Sequence, residues 1–178
     1  MIYAHVAVVT ADDYLTRRAP FRDAHLARIV ELRARGFVVG AGPSPDGRSA
    51  DLFVRTPDAD TIRRLVEEDP YYAGGVWTGY AVASFSEFLE PWKPPPVVTD
   101  GSRRVTIVEG RAPDVDMAAL ALIEARGQGR LAFGGFFPDG RSLAVMNGAE
   151  ADEPLRWFAA TGFWEPESLH ARPLLYVL

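Results

Sequence analysis

Residues 20–46 read PFRDAHLARIVELRARGFVVGAGPSPD, and the pattern in this stretch decides the fold. Wound at about 100° per residue, Leu26, Ile29, Val30 and Leu32 share one face, while Arg28, Glu31 and Arg35 point away. Gly36 follows a basic last turn, Arg33-Ala34-Arg35, and glycine there supplies the left-handed backbone that stops a helix. The spacing therefore predicts a helix from about Phe21 to Arg35 and a short buried strand from Phe37 to Ala41. A tight turn follows at Pro45-Asp46-Gly47-Arg48. Two polar side chains break the apolar arc. His25 falls inside it, and so does Arg22 if the helix begins before it.

Working outward, Ile2 to Thr10 is apolar and β-branched with no helical period, so it reads as a strand. Ile2, Ala4, Val6 and Val8 lie on one face, and Tyr3, His5, Ala7 and Val9 on the other. Asp51 to Arg55 is the hairpin partner of the strand at Phe37. Thr56-Pro57 opens a second helix with a capping hydroxyl and a proline at its first position. Ile62, Leu65 and Val66 form its buried face, and Asp69-Pro70 closes it, because the residue before proline is pushed out of the α region. Gly79 to Phe85 is a fourth strand. The order β-α-β-β-α-β is that of a ferredoxin-like unit.

Residues 1–90 form this first repeat, and a proline-rich linker occupies 91–103, around Trp92-Lys93-Pro94-Pro95-Pro96. Residues 104–178 then repeat the pattern, with strands at Arg104–Glu109, Leu131–Phe136, Leu143–Asn147 and Pro173–Leu178. Helices run from a cap at Asp114 to about Arg126 and over Pro154–Ala160. Pro138-Asp139-Gly140-Arg141-Ser142 reproduces Pro45 to Ser49 letter for letter, so the chain reads as a tandem duplication of one small α+β unit.

Composition removes several function classes. A net charge of −5 with a single lysine, Lys93, offers no basic stripe for nucleic acid. The lack of cysteine excludes disulfides and thiolate chemistry. His5, His25 and His170 show no metal-ligand spacing, so no metal and no cofactor is expected. No apolar run approaches the ~20 residues of a membrane span, and the N-terminus lacks a signal-peptide pattern. The expectation is a soluble cytoplasmic protein without a membrane or nucleic-acid partner, acting on a small molecule.

Aligning the two identical turns sets Arg22 opposite Val115 and His25 opposite Ala118. With a one-residue gap, Asp69 falls opposite Thr161. Apolar positions survive the alignment, as with Ile29 and Leu122, so packing at this face does not need the polar residues. His25 is then either a half-buried histidine bonded to a carbonyl or a working imidazole. A carboxylate at the end of a helix, as expected for Asp69, opposes the macrodipole and needs a partner or a solvated position. Arg22, one turn before His25, either clamps an anionic ligand group or pairs with Asp69. Tyr71 and Tyr72 either wall a pocket, donate a phenolic hydrogen bond or pack in the core. His5 stands on the first strand, where it either touches ligand or only fills space.

Arg22-x-x-His25-Leu26, Gly40-Ala41-Gly42-Pro43 and Asp69-Pro70-Tyr71 occur in this order over roughly the first 90 residues. The arrangement resembles the YciI-like (YCII-related) proteins. The resemblance implies two ferredoxin-like units paired sheet to sheet as a dimeric α/β barrel, here a pseudo-dimer within one chain, either monomeric or a homodimer. It also implies that His25 and Asp69 are the candidate catalytic pair. Some YciI-like proteins eliminate a halide from hydroxyquinone-type substrates, and muconolactone isomerases are similar in fold. The expected function is a cofactor-independent lyase or isomerase acting on a small cyclic or aromatic metabolite. The alternative is a non-catalytic small-molecule-binding or accessory module of the same fold.

Overall fold

The computed structural model describes residues 1–148 and 150–177. The chain divides into two units, each with one antiparallel sheet and its own apolar core.

In the first unit, β1 (Ile2–Thr10) leads through a short α1 (Tyr14–Arg17) to α2 (Arg22–Ala34). Gly36, at φ +78°, ends α2. Its N–H bonds to Arg33 O at 2.8 Å, and that of Phe37 bonds to Leu32 O at 2.9 Å, so the last carbonyls are satisfied by the turn itself. β2 (Val38–Pro43), β3 (Ser49–Thr56), α3 (Ala59–Glu67), α4 (Pro70–Ala73) and β4 (Trp77–Ser84) complete the unit. The sheet order is β2-β3-β1-β4. Ala4, Val6 and Val8 of β1 pack with Ile29, Leu32, Ile62, Leu65 and Val66 of the helices. Each large aliphatic side chain buried there contributes about 1.5–3 kcal/mol.

Three local expectations change. Val30, placed on the buried face by periodicity, is exposed; the stripe α2 buries is narrower and centres on Ile29 and Leu32. Arg28, expected to point away, is half-buried. The cap of α3 is Asp58, whose carboxylate accepts from Thr61 N at 2.7 Å. Thr56 and Pro57 precede it, and the Thr56 hydroxyl donates instead to Asp58 O at 3.0 Å.

The second unit contains β5 (Glu87–Leu89), β6 (Arg104–Arg111), α5 (Val115–Gly127), β7 (Leu131–Phe136), β8 (Arg141–Asn147), α6 (Asp152–Thr161) and β9 (His170–Leu175). The sheet order is β5-β7-β8-β6-β9. Asp114 caps α5 by accepting from Met117 N at 3.1 Å. The same double closure as in α2 ends the helix at Gly129, with Gly129 N–H on Arg126 O and Arg130 N–H on Ala125 O. The last strand starts earlier than the sequence predicts, and Leu178, its expected end, lies outside the described residues.

The proline-rich stretch is divided between the units. Phe85–Pro94 packs with the second unit and Pro95–Gly101 with the first. β5 lies along β7, with Phe88 facing Gly135. Any Cβ at Gly135 would sit 2.2 Å from Glu87 O, so only glycine lets that strand approach. In the first unit the outer edge of β2 is used too, where Ala41 O accepts from Val177 N at 3.0 Å. Among the described residues, no helix is long and apolar enough to cross a membrane.

The two identical turns are not used identically. Pro43 faces Ala50 across the first hairpin, while Phe136 faces Ser142 across the second. The first loop is one residue longer. Beyond the turn, Gly42 pairs with Asp51 where Gly135 pairs with Leu143. Asp51 therefore corresponds in space to Leu143, and Phe53 to Val145.

Candidate functional site

Three local features of the first unit bring His25 and Asp69 together. His25 is on the first turn of α2, and its side chain leans toward the helix N-terminus. Asp69 follows the end of α3 and caps α4, with Pro70 at the first helical position. It therefore does not oppose a macrodipole as the sequence suggested: it sits at the favourable, N-terminal end of the next helix. Gly74 ends α4 against the Phe21 ring, where a Cβ would lie 2.5 Å from a ring carbon.

Asp69 is completely buried. Its Oδ1 accepts from His25 Nδ1 at 2.8 Å and from Tyr71 N at 2.9 Å. Because a carboxylate only accepts, the proton of the imidazole stays on Nδ1 and the lone pair on Nε2. Nε2 makes no hydrogen bond among the described residues, and the His25 side chain keeps 13 % of its surface exposed. Asp69 Oδ2 is buried without a hydrogen-bond partner. The nearest cation is Arg28, whose Nε lies 4.0 Å away. Arg28 is held there by Arg64 O and Glu68 Oε2, each 3.3 Å from Nη2.

The imidazole is fixed by rings. Tyr71 stacks on it at 3.8 Å between centroids and 10° between planes, and Trp77 meets it edge-on at 5.3 Å. Tyr14 abuts Tyr71 edge-on at 6.3 Å, and Arg18 lies over the Tyr14 ring while donating to its hydroxyl at 3.3 Å. Burial pushes the Tyr71 phenol up to about 12, with Tyr14 and Asp69 adding to the rise and Arg18 and Arg22 opposing it. Tyr71 is thus a neutral ring near neutral pH, suited to walling the site and not to taking a proton.

The remaining candidates are placed differently. Arg22 does not pair with Asp69; its Nη2 donates to Thr99 O at 3.2 Å. Lying one turn toward the start of α2, it reaches the Pro95–Gly101 segment, while Arg28, three residues beyond His25, reaches the carboxylate. Tyr72 is half-buried and packs edge-on against Tyr80, whose hydroxyl donates to Glu67 Oε1 at 2.9 Å. It belongs to a separate aromatic pair.

His5 is buried on the sheet face opposite the helices, with Nε2 2.6 Å from Asp51 Oδ1 and its ring stacked on Phe53 at 5.1 Å. It does not join His25. Among the described residues, no cluster of three or more histidine, aspartate or glutamate side chains could hold a metal.

Sequence reasoning missed Arg28, Trp77, Tyr14 and Asp51. Only Arg28 left a usable signal, since residues three apart on a helix are neighbours.

Where the first unit places this cluster, the second has Ala118 fully buried among Leu122, Phe158 and Trp164. The Trp164 indole N–H is satisfied by Ser142 Oγ at 2.8 Å.

Residues 1–86 match the family model of the YCII-related domain, a stretch that holds β1 to β4 of the first unit. No curated protein matches the chain in sequence. Solved structures of the dimeric α/β barrel type cover nearly all of it. A candidate monooxygenase from Lactobacillus acidophilus NCFM has a TM-score of 0.62 at 10% identity, spanning 99% of this chain and 94% of its own. A heme-binding protein from Thermus thermophilus has a TM-score of 0.55 at 11% identity, spanning 98% and 90%. The 5-chloro-2-hydroxyhydroquinone dehydrochlorinase of Burkholderia phenoliruptrix AC1100 is 22% identical, spans 51% of this chain and 93% of its own, and has a TM-score of 0.40. For the first two of these, at such identities, the likeness is one of fold.

Proposed function

We propose that this YCII-related domain is a cofactor-independent acid–base enzyme, a lyase or isomerase moving a proton on a small cyclic or aromatic molecule. The observation that carries the reading is the Nδ1 to Oδ1 contact of 2.8 Å between His25 and the buried Asp69, which leaves Nε2 uncommitted. In that role Nε2 accepts a proton from substrate carbon, and the electron pair of the broken bond forms a double bond. In an elimination the leaving group departs with its own pair. In an isomerisation the imidazolium returns the proton to another carbon. Asp69 stabilises the imidazolium formed, and general-base catalysis of this kind supplies about 10²–10⁴-fold. Arg22, held among the described residues by one backbone carbonyl, can turn toward an anionic group of the substrate, and Tyr71 walls the imidazole.

The test is carbon–hydrogen exchange in D₂O across small hydroxy-aromatic and cyclic carbonyl compounds, read by mass spectrometry. His25→Asn is the informative variant, because its amide can still donate to Asp69 and spare the fold. The wild type should incorporate deuterium, and His25→Asn should lose at least about a hundredfold in rate with little change in Tm. Exchange that survives His25→Asn would sink the assignment. Saturable binding without exchange in the wild type would make the domain a binding module instead.

A further inference from the structure

Four strands end the two sheets: β2 and β4 in the first, β5 and β9 in the second. An exposed sheet edge presents unpaired N–H and C=O groups, and proteins guard such edges with proline, charge, shortness or cover. β2 carries Pro43, and its Ala41 O is already taken by Val177 N. β5 is three residues long. β9, which takes the place of β4 in the second unit, carries Arg172 and Pro173. β4 has none of these. Its eight residues, WTGYAVAS, include no proline and no charge, and among the described residues it pairs with β1 alone. Val82 is 44% exposed there, and Val9, opposite Gly79 on β1, is 57% exposed.

We propose that β4 is an interface strand that pairs antiparallel with β4 of a second copy of this chain. A two-fold axis sets each strand against its own sequence, so any charge on it would face charge of the same sign nearby; β4 carries none. A foreign strand would be selected through charge or side-chain pockets along the edge. Thr78, Gly79, Ala81, Ala83 and Ser84 offer neither. Self-pairing continues the sheet through the axis, occupies the backbone groups of the β4 edge and gives Val82 a neighbouring strand to pack beside.

Sedimentation velocity of the full chain over a concentration series tests this. The wild type should be a dimer, and Gly79→Lys/Val82→Lys should weaken it at least tenfold. A side chain at Gly79 meets nothing within 4 Å, so the variant should keep the wild-type circular dichroism. Ala81→Lys alone, on the Gly79 face of the strand and also exposed, serves if that variant does not fold. Leu120→Lys/Ile123→Lys, on the outer face of α5 where these residues are 59% and 45% exposed, should leave the dimer intact. A wild type that is monomeric throughout overturns the proposal. So does a dimer that the β4 variants leave unchanged, or one that the α5 variant breaks.

Discussion

The two units share topology, helix closures and a turn of identical sequence, yet they fill equivalent places with opposite chemistry. The first buries an imidazole against a carboxylate between its helices and another on the far side of its sheet. The second has Ala118 in the first place, and Ile107 and Leu143 in the second, all essentially buried. A buried polar pair compensates its desolvation only with good geometry, and an apolar replacement of similar volume often matches it in stability. The second unit shows that this scaffold closes without either pair. Packing alone therefore does not account for His25 and Asp69, and that contrast is what recommends them as a candidate site.

The largest expected effect of breaking this asymmetry is at Asp69. Replacing it with alanine strands the His25 N–H and the Tyr71 N–H and removes the cap of α4, a loss of roughly 2–4 kcal/mol. Thr161→Ala, at its sequence counterpart, removes a bond donated to Phe158 O and a long one, 3.4 Å, accepted from Phe163 N, and should cost about 1 kcal/mol. Denaturant titrations of both variants decide the matter, and equal losses would mean that Asp69 is ordinary helix-end chemistry. Next is the pair on the far face. His5→Ile, Asp51→Leu and the double variant install the second unit's residues, and the cycle should give a coupling of about 1–3 kcal/mol. Strict additivity would show that the 2.6 Å contact carries no energy of its own.

The sequence exposes the duplication because turn chemistry and helix stops are local. Pro45 to Arg48, Gly36 and Asp114 act through their own backbone neighbours, and each lands where its residue type demands. His25 and Asp69 were legible by contrast, as polar residues absent from the second repeat. Arg28 was not, because helical periodicity assigns a long side chain to a face by its Cα, while the guanidinium bends back to the junction of α3 and α4. The partner of His5 was hidden by the hairpins. Matching the identical turns letter for letter pairs Asp51 with Ala144, and the extra loop residue of the first hairpin shifts the true correspondence to Leu143.

Alkaline pH gives a further contrast. Tyr71 is raised to about 12 by burial, so the folded state holds its proton after an unfolded tyrosine, near 10, has lost it. The stability this contributes is complete below about pH 10 and is lost as pH rises toward about 12. Tyr71→Phe should flatten that decline, read from denaturation midpoints alongside phenolate absorbance. A decline that persists unchanged would assign it to other groups.

The smallest effect is the one on which the units should agree. Gly36 and Gly129 hold the same left-handed conformation, at φ +78° and +75°, and a Cβ at either would meet nothing within 4 Å. Substitution by alanine then introduces backbone strain without a clash, about 1 kcal/mol in each case. Matching losses from Gly36→Ala and Gly129→Ala, within about 0.5 kcal/mol, would establish that the units respond alike where their backbones coincide. A much larger loss at Gly36 would mean that the first unit is the more sensitive throughout, and the excess at Asp69 would then reflect a fragile half and not a specialised residue. The glycine pair is therefore the control that gives the Asp69 measurement its meaning.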